Sequence, residues 1–187
     1  MEMLARGYWR AVTRDESGLL DRLLAILRQQ EIRFCVIGGQ GVNAYAEPMV
    51  SLDLDIVVAI SDLERVETML REHSDVERVP HSTPGIPDNC LGPQFNVSQP
   101  DSDLRVQIQT DPRYGAFVDR AEQRDVLGIM LPVAHVEDLL QGKIWAVSDP
   151  ERRPSKRQKD LADIARLVEA DPTLRARVPV EILQRLF

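Results

Sequence analysis

An apolar run ends in two glycines, and thirteen residues later a second apolar run carries two aspartates. The first reads Phe34-Cys35-Val36-Ile37-Gly38-Gly39-Gln40, and the second reads Ser51-Leu52-Asp53-Leu54-Asp55-Ile56-Val57-Val58. An apolar run closing on Gly-Gly predicts a buried strand entering a tight turn. Within a strand, residues i and i+2 share a face, so Asp53 and Asp55 become neighbours while Leu52, Leu54 and Ile56 turn into a core. Two carboxylates held this close repel, and burying either is costly. A divalent cation between them removes the conflict, and Mg²⁺ favours one or two carboxylates completed by waters and substrate phosphates. The glycines supply the other half, since a turn without side chains lets backbone N–H groups approach a phosphate. A helix over residues 40–46 adds its N-terminus to that cradle.

Plain structural readings stand beside this one. Gly-Gly also serves as an ordinary strand-to-helix turn. Asp-x-Asp also serves as the solvent face of an edge strand, where charge discourages aggregation.

The pairing of Gly38-Gly39 with Asp53-x-Asp55 resembles the nucleotidyltransferase superfamily, built on the polymerase-beta-like fold. Within it, the chain is similar to small bacterial AbiEii-type toxin nucleotidyltransferases. The resemblance runs from about Leu20 to about Val168 and includes the segments Asp138-Leu139-Leu140-Gln141-Gly142-Lys143 and Lys159-Asp160-Leu161-Ala162-Asp163. It implies an α/β (α+β) fold, a mixed sheet flanked by helices with further helices at the C-terminus. It also implies attack of an acceptor hydroxyl on the α-phosphate of an NTP. In that reading Asp53 and Asp55 bind Mg²⁺, and Gly38, Gly39 and Gln40 hold the triphosphate. Lys143 and Lys159 approach the phosphates, and Asp160 organises basic groups. The acceptor is RNA, protein or a small molecule, and a toxin of this kind has an antitoxin protein as partner. Without the resemblance, Lys143 reads as a snorkelling surface lysine and Lys159 as a surface charge before a first-turn acid.

One position departs from the pattern. Active members of the superfamily carry a third carboxylate on a later strand beside the Asp-x-Asp strand. The matching stretch here is Arg105-Val106-Gln107-Ile108-Gln109, and the expected acid is Gln107. A neutral amide is a weaker oxygen donor and cannot be a general base. Asp103 and Asp111 share its strand parity but lie four residues away, about 13 Å along an extended chain. The alternative function is therefore a catalytically impaired nucleotide- or protein-binding module of the same fold.

Composition narrows the rest. The chain of 187 residues is 43% hydrophobic and 28% charged, as in a soluble globular protein. Its length predicts one main domain over 17–170, with an N-terminal arm over 1–16 and a helical extension over 171–187. No apolar run approaches the roughly 18 residues that span a bilayer, and residues 1–6 lack a secretory pattern, so a cytoplasmic location without membrane contact is expected. The net charge of −7 argues against broad nonspecific nucleic-acid binding. One segment runs against it, with five cations between Arg152 and Lys159, which reads as a loop over 149–158 that is either solvated or in contact with phosphate or RNA. Cys35 reads as a core residue, and no Cys/His spacing suggests zinc. His135 reads as a helix cap or surface residue.

Periodicity places helices over 19–27, 62–71, 135–147 and 160–170 and strands over 32–37, 51–60, 76–79, 104–110 and 126–131. Residues 80–100 hold five prolines and read as a long irregular segment with an extended piece near Phe95 and Val97.

Overall fold

Strand β2 (Asp53–Val58) alternates as its sequence predicts. Leu54 and Ile56 are fully buried, while Asp53 and Asp55 lie on the opposite face and stay partly accessible. Burial of a Leu or Ile side chain contributes about 1.5–3 kcal/mol. A one-residue slip would reverse both faces, so the apolar pair fixes where the carboxylates point. The computed structural model describes residues 13–14, 18–71, 75–79, 94–98, 101–126 and 128–186.

Strand β1 (Phe34–Ile37) is buried throughout and runs antiparallel to β2, with Ile37 opposite Asp55. The other strands are β3 (Asp75–Val79), β4 (Gln94–Ser98), β5 (Arg105–Gln109), β6 (Glu122–Val126) and β7 (Ile129–Val133). Among the described residues they form a seven-stranded sheet in the order β3-β4-β5-β2-β1-β7-β6. The pairs β2–β5 and β1–β7 are parallel and the other pairs antiparallel, so the sheet is mixed as expected.

The helices are α1 (Leu19–Gln29), α2 (Gly38–Asn43), α3 (Leu63–Arg71), α4 (Gly115–Asp119), α5 (Val136–Ser148), α6 (Pro154–Ala170) and α7 (Val180–Leu186). In α1 the predicted stripe Leu19, Leu20, Leu23, Leu24 and Leu27 is buried. Leu139, Leu140, Ile144 and Val147 of α5 share one core with Leu161, Ile164, Leu167 and Val168 of α6. Leu174, Val178 and Ile182 join the same core. No described helix is long and apolar enough to cross a membrane.

Three local expectations are corrected. The first short helix begins on the glycines rather than at Gln40 and ends at Asn43. Asn43 terminates it by bonding the main chain of Met49, donating to its carbonyl (2.8 Å) and accepting from its N–H (2.9 Å). The single strand read over 126–131 is instead a hairpin of β6 and β7. Its turn carries Gly128 at φ 85°, with its N–H donated to Asp125 Oδ1 (2.7 Å). The second half of the basic loop, 154–158, is the start of α6, because Pro154 sits at the first helical position, where its missing N–H costs nothing. The arm over 1–16, apart from Thr13 and Arg14, and the segment 80–100, apart from β4, lie outside the described residues.

Candidate active site

The turn after β1 is built around a carboxylate. Gly38 adopts φ 65°, the left-handed conformation that glycine takes without steric cost. A Cβ there would stand 2.0 Å from Asp55 Oδ2, an impossible contact. Gly38 is therefore required twice, by its backbone and by the carboxylate packed against it. At Gly39 a Cβ would meet Lys159 Cε and Nζ and Ser51 Oγ at 3.8 Å, ordinary contact. Gly41, which the sequence reading did not single out, lets α2 approach α5, since a Cβ there would lie 2.7 Å from Leu139 Cδ2.

Asp55 pairs in register with Gln107 across β2 and β5, and Asp53 with Arg105. Directly paired residues share a face, so the amide stands beside the carboxylates where the third acid was sought. Asp103 and Asp111 are engaged elsewhere. Asp103 pairs with Arg14 at 2.6 Å, and Asp111 holds Arg113 at 2.7 Å. Neither lines the cavity described below. Burial pushes the Asp55 carboxyl up; Lys143 opposes that, and the negative charge of Asp53 reinforces it. Both oxygens of Asp53 carry an internal cation, Arg105 at 2.8 Å on Oδ1 and Lys156 at 3.2 Å on Oδ2.

These groups open into a cavity of about 640 Å³, within the usual range for small-molecule sites. Gly38, Gly39, Asp53, Asp55, Gln107, Lys143 and Lys159 all line it. Gln40 does not. It is buried, donates to the Ser51 carbonyl (2.8 Å) and accepts from Asn43 (2.9 Å), so its side chain holds the 44–52 connection instead of a ligand.

Lys143 is not a snorkelling surface residue. It is buried, with Nζ 2.9 Å from Asp160 and 2.6 Å from Asp163. Those two carboxylates keep its pKa above the ordinary lysine value despite burial. Arg152 grips the other Asp160 oxygen at 2.7 Å, and Arg166 joins Asp163 (2.8 Å) to Asn43 (2.7 Å). A chain of alternating charge thus runs from the cavity to the loop behind the glycines. Asp160 organises basic groups as the resemblance implied, and it draws in Arg152, which the sequence reading left in a loop. Lys156 is one of the five clustered cations; the first turn of α6 carries it, with Nζ 3.2 Å from Asp53 Oδ2. His135 caps α5 by accepting from the Glu137 N–H at 3.4 Å, the reading favoured from sequence.

Residues 22–187 match the family model of the nucleotidyl transferase AbiEii toxin, type IV toxin–antitoxin system. The chain belongs to this family. Nucleotidyl transfer is the activity for which the AbiEii family is named. Among solved structures, the lincosamide antibiotic adenylyltransferase LnuA, lincomycin-bound, has a similar fold. Identity is 11% and the TM-score 0.52, over 80% of this chain and 96% of that one. JHP933 from Helicobacter pylori is similar at 18% identity and a TM-score of 0.51, over 92% of this chain and 71% of that one. Likeness at these identities concerns the fold. No curated protein matches the sequence.

Proposed function

We propose that this AbiEii-family protein transfers a nucleoside monophosphate from an NTP to an acceptor hydroxyl, with Mg²⁺, in the cavity above Gly38, Asp53 and Asp55. The observation that carries the reading is the recessed carboxylate pair beside a glycine turn, facing a cavity bordered by lysines. The donor set fits one magnesium ion. Two carboxylates at i and i+2 offer anionic oxygens, the Gln107 amide offers a neutral one, and the open cavity leaves room for waters and phosphate oxygens. Burial, reinforced by the Asp53 charge, pushes the Asp55 carboxyl up, and a cation at this point would favour its ionised form. When bound, the ion supplies neutralisation of phosphate charge and acidifies a coordinated hydroxyl.

The chain's own residues set the rest. Gly38 and Gly39 leave the turn bare, so a phosphate can approach the backbone. Lys159, whose Nζ donates to Ser51 Oγ at 3.3 Å, is poised to meet the triphosphate. Lys156 reaches the same region by exchanging Asp53 for phosphate. Lys143, committed to Asp160 and Asp163, acts as a positioning residue that fixes α6 and its cations against the glycine turn. Gln107 accepts no proton, so departure of the acceptor proton lacks a side-chain base at that point. That position favours a second reading, in which Mg²⁺-NTP binds and transfer is slow or lost. The acceptor is RNA, a protein or a small molecule, the last by analogy with the antibiotic adenylyltransferase, and an antitoxin protein is the expected partner.

Calorimetric titration of each NTP, with and without Mg²⁺, tests the site. Binding should require the metal and disappear in Asp53→Asn with Asp55→Asn while the fold persists. Equal binding by the double variant would overturn the assignment.

A further inference from the structure

Two chemically different groups of residues line the cavity, the glycine turn with its carboxylates and lysines, and a second, aromatic group. Tyr114, Phe117 and Trp145 form one cluster, with ring centroids 5.0 Å apart for Tyr114–Phe117, 5.7 Å for Tyr114–Trp145 and 5.9 Å for Phe117–Trp145. The Arg113 guanidinium lies 5.0 Å from the Trp145 ring centroid and is held there by buried Asp111. Tyr114, Trp145 and Arg113 are only partly buried, and all three line the cavity. A cluster serving the core alone would close over its rings, whereas Tyr114, Trp145 and the flat cation of Arg113 all border an open space.

Topology ties the two groups together. β5 carries Gln107 beside Asp55 and, two residues on, Gln109 on the same face. The rise of a strand puts Gln109 about 7 Å further along. The chain then turns through Thr110 and Asp111 into the short 3₁₀ helix that bears Arg113 and Tyr114. A ligand with its anionic end at the glycine turn therefore meets uncharged amides and a ring-lined wall within the same cavity. That set of surfaces matches a nucleotide, since every nucleobase has a π-face for stacking and a polar edge for an amide.

We propose that Tyr114, Trp145 and Arg113 form the seat of the nucleobase of the donor NTP, and that Gln109 contacts the edge of that base. This rests on the functional reading above and names the part of the site that recognises the base. Stacking tolerates every base, and the single amide is the element that discriminates among them.

The test uses the full chain with Trp9→Phe, leaving Trp145 as the sole tryptophan, and titrates ATP, GTP, CTP, UTP and inorganic triphosphate with Mg²⁺ and no acceptor. The nucleotides should quench Trp145 fluorescence; inorganic triphosphate should bind by calorimetry without quenching. Trp145→Leu should weaken nucleotide binding about tenfold or more and leave inorganic triphosphate unchanged. Gln109→Ala, on a partly exposed strand position that imposes little on folding, should change the ratio of affinities among the four nucleotides several-fold. Nucleotide binding without quenching, and no tighter than inorganic triphosphate, overturns the base seat and leaves the phosphate site standing. Absence of binding by every ligand overturns both. Unchanged base ratios in Gln109→Ala overturn the role of that amide.

Discussion

Gly38 and Asp55 occupy space that only a glycine permits. A Cβ at residue 38 would lie 2.0 Å from Asp55 Oδ2, while the neighbouring position 39 has 3.8 Å of clearance. The two glycines of the motif therefore have unequal reasons to be glycine. Gly38→Ala should lower stability by about 2 kcal/mol or more, combining left-handed strain with a clash against a carboxylate. Gly39→Ala should leave stability within about 0.5 kcal/mol of the natural chain and act on NTP binding instead. Urea unfolding measures both; equal losses at the two positions would contradict this geometry.

Lys143 illustrates how a residue can matter to a site through the fold. Its removal leaves Asp160 and Asp163 facing each other in the interior without their shared cation. Breaking a buried pair of this kind costs about 3–5 kcal/mol. Lys143→Met should accordingly lower the unfolding midpoint sharply, whereas Lys159→Met should move it little, because Lys159 contacts Ser51 Oγ at 3.3 Å. Natural-like stability of Lys143→Met would show that the lysine is held for the ligand and not for the two carboxylates.

Cys35 sits in β1 with its thiol pushed up to about 12 by burial, helped by the charge of Asp138. Its reactive thiolate is scarce at neutral pH. Iodoacetamide at pH 8 should leave Cys35 unmodified in the folded protein and label it fully in urea, read by peptide mapping. The sign of the linkage follows: the folded value lies above the unfolded one, near 9.0, so the thiol's contribution to stability is complete below about pH 9 and lost as pH rises towards 12. Rapid native labelling would place Cys35 at a surface.

The sheet and its acidic face were legible because their signals are local. Leu54 and Ile56 alternate with Asp53 and Asp55, and burial of one pair dictates the position of the other. The amide beside Asp55 was found by the same parity, since β5 buries Val106 and Ile108 and turns Gln107 to the carboxylates. The hairpin of β6 and β7 is hidden in the sequence because β6 is largely exposed and polar, so the apolar run begins only at its last residue, Val126, and continues into β7 as if one strand. The six-residue shortfall in α6 came from reading Pro154 and the neighbouring cations as a loop, although proline is favoured at a helix start. Gln40 was assigned to the ligand from its place after the glycines. Its use in bonding Ser51 and Asn43 depends on the return of the chain eleven residues later, which no local pattern reveals. The aromatic wall escaped for the same reason, as Trp145 lies far along the chain from Tyr114 and Phe117 and meets them only when α5 packs.

The most direct measurement is transfer itself. The natural chain, Gln107→Glu and the double variant Asp53→Asn with Asp55→Asn should each be incubated with Mg²⁺, α-labelled NTPs and fractionated cell RNA, protein and small molecules. The label should be followed into each fraction, which also identifies the acceptor class. The natural chain should transfer label slowly and the double variant not at all. Gln107→Glu should raise the rate by about 10²-fold, the scale on which a positioned base or anionic ligand acts. Fast transfer by the natural chain that falls in Gln107→Glu, or transfer that persists in the double variant, would contradict a reaction centred on Asp53 and Asp55 and limited by the amide beside them.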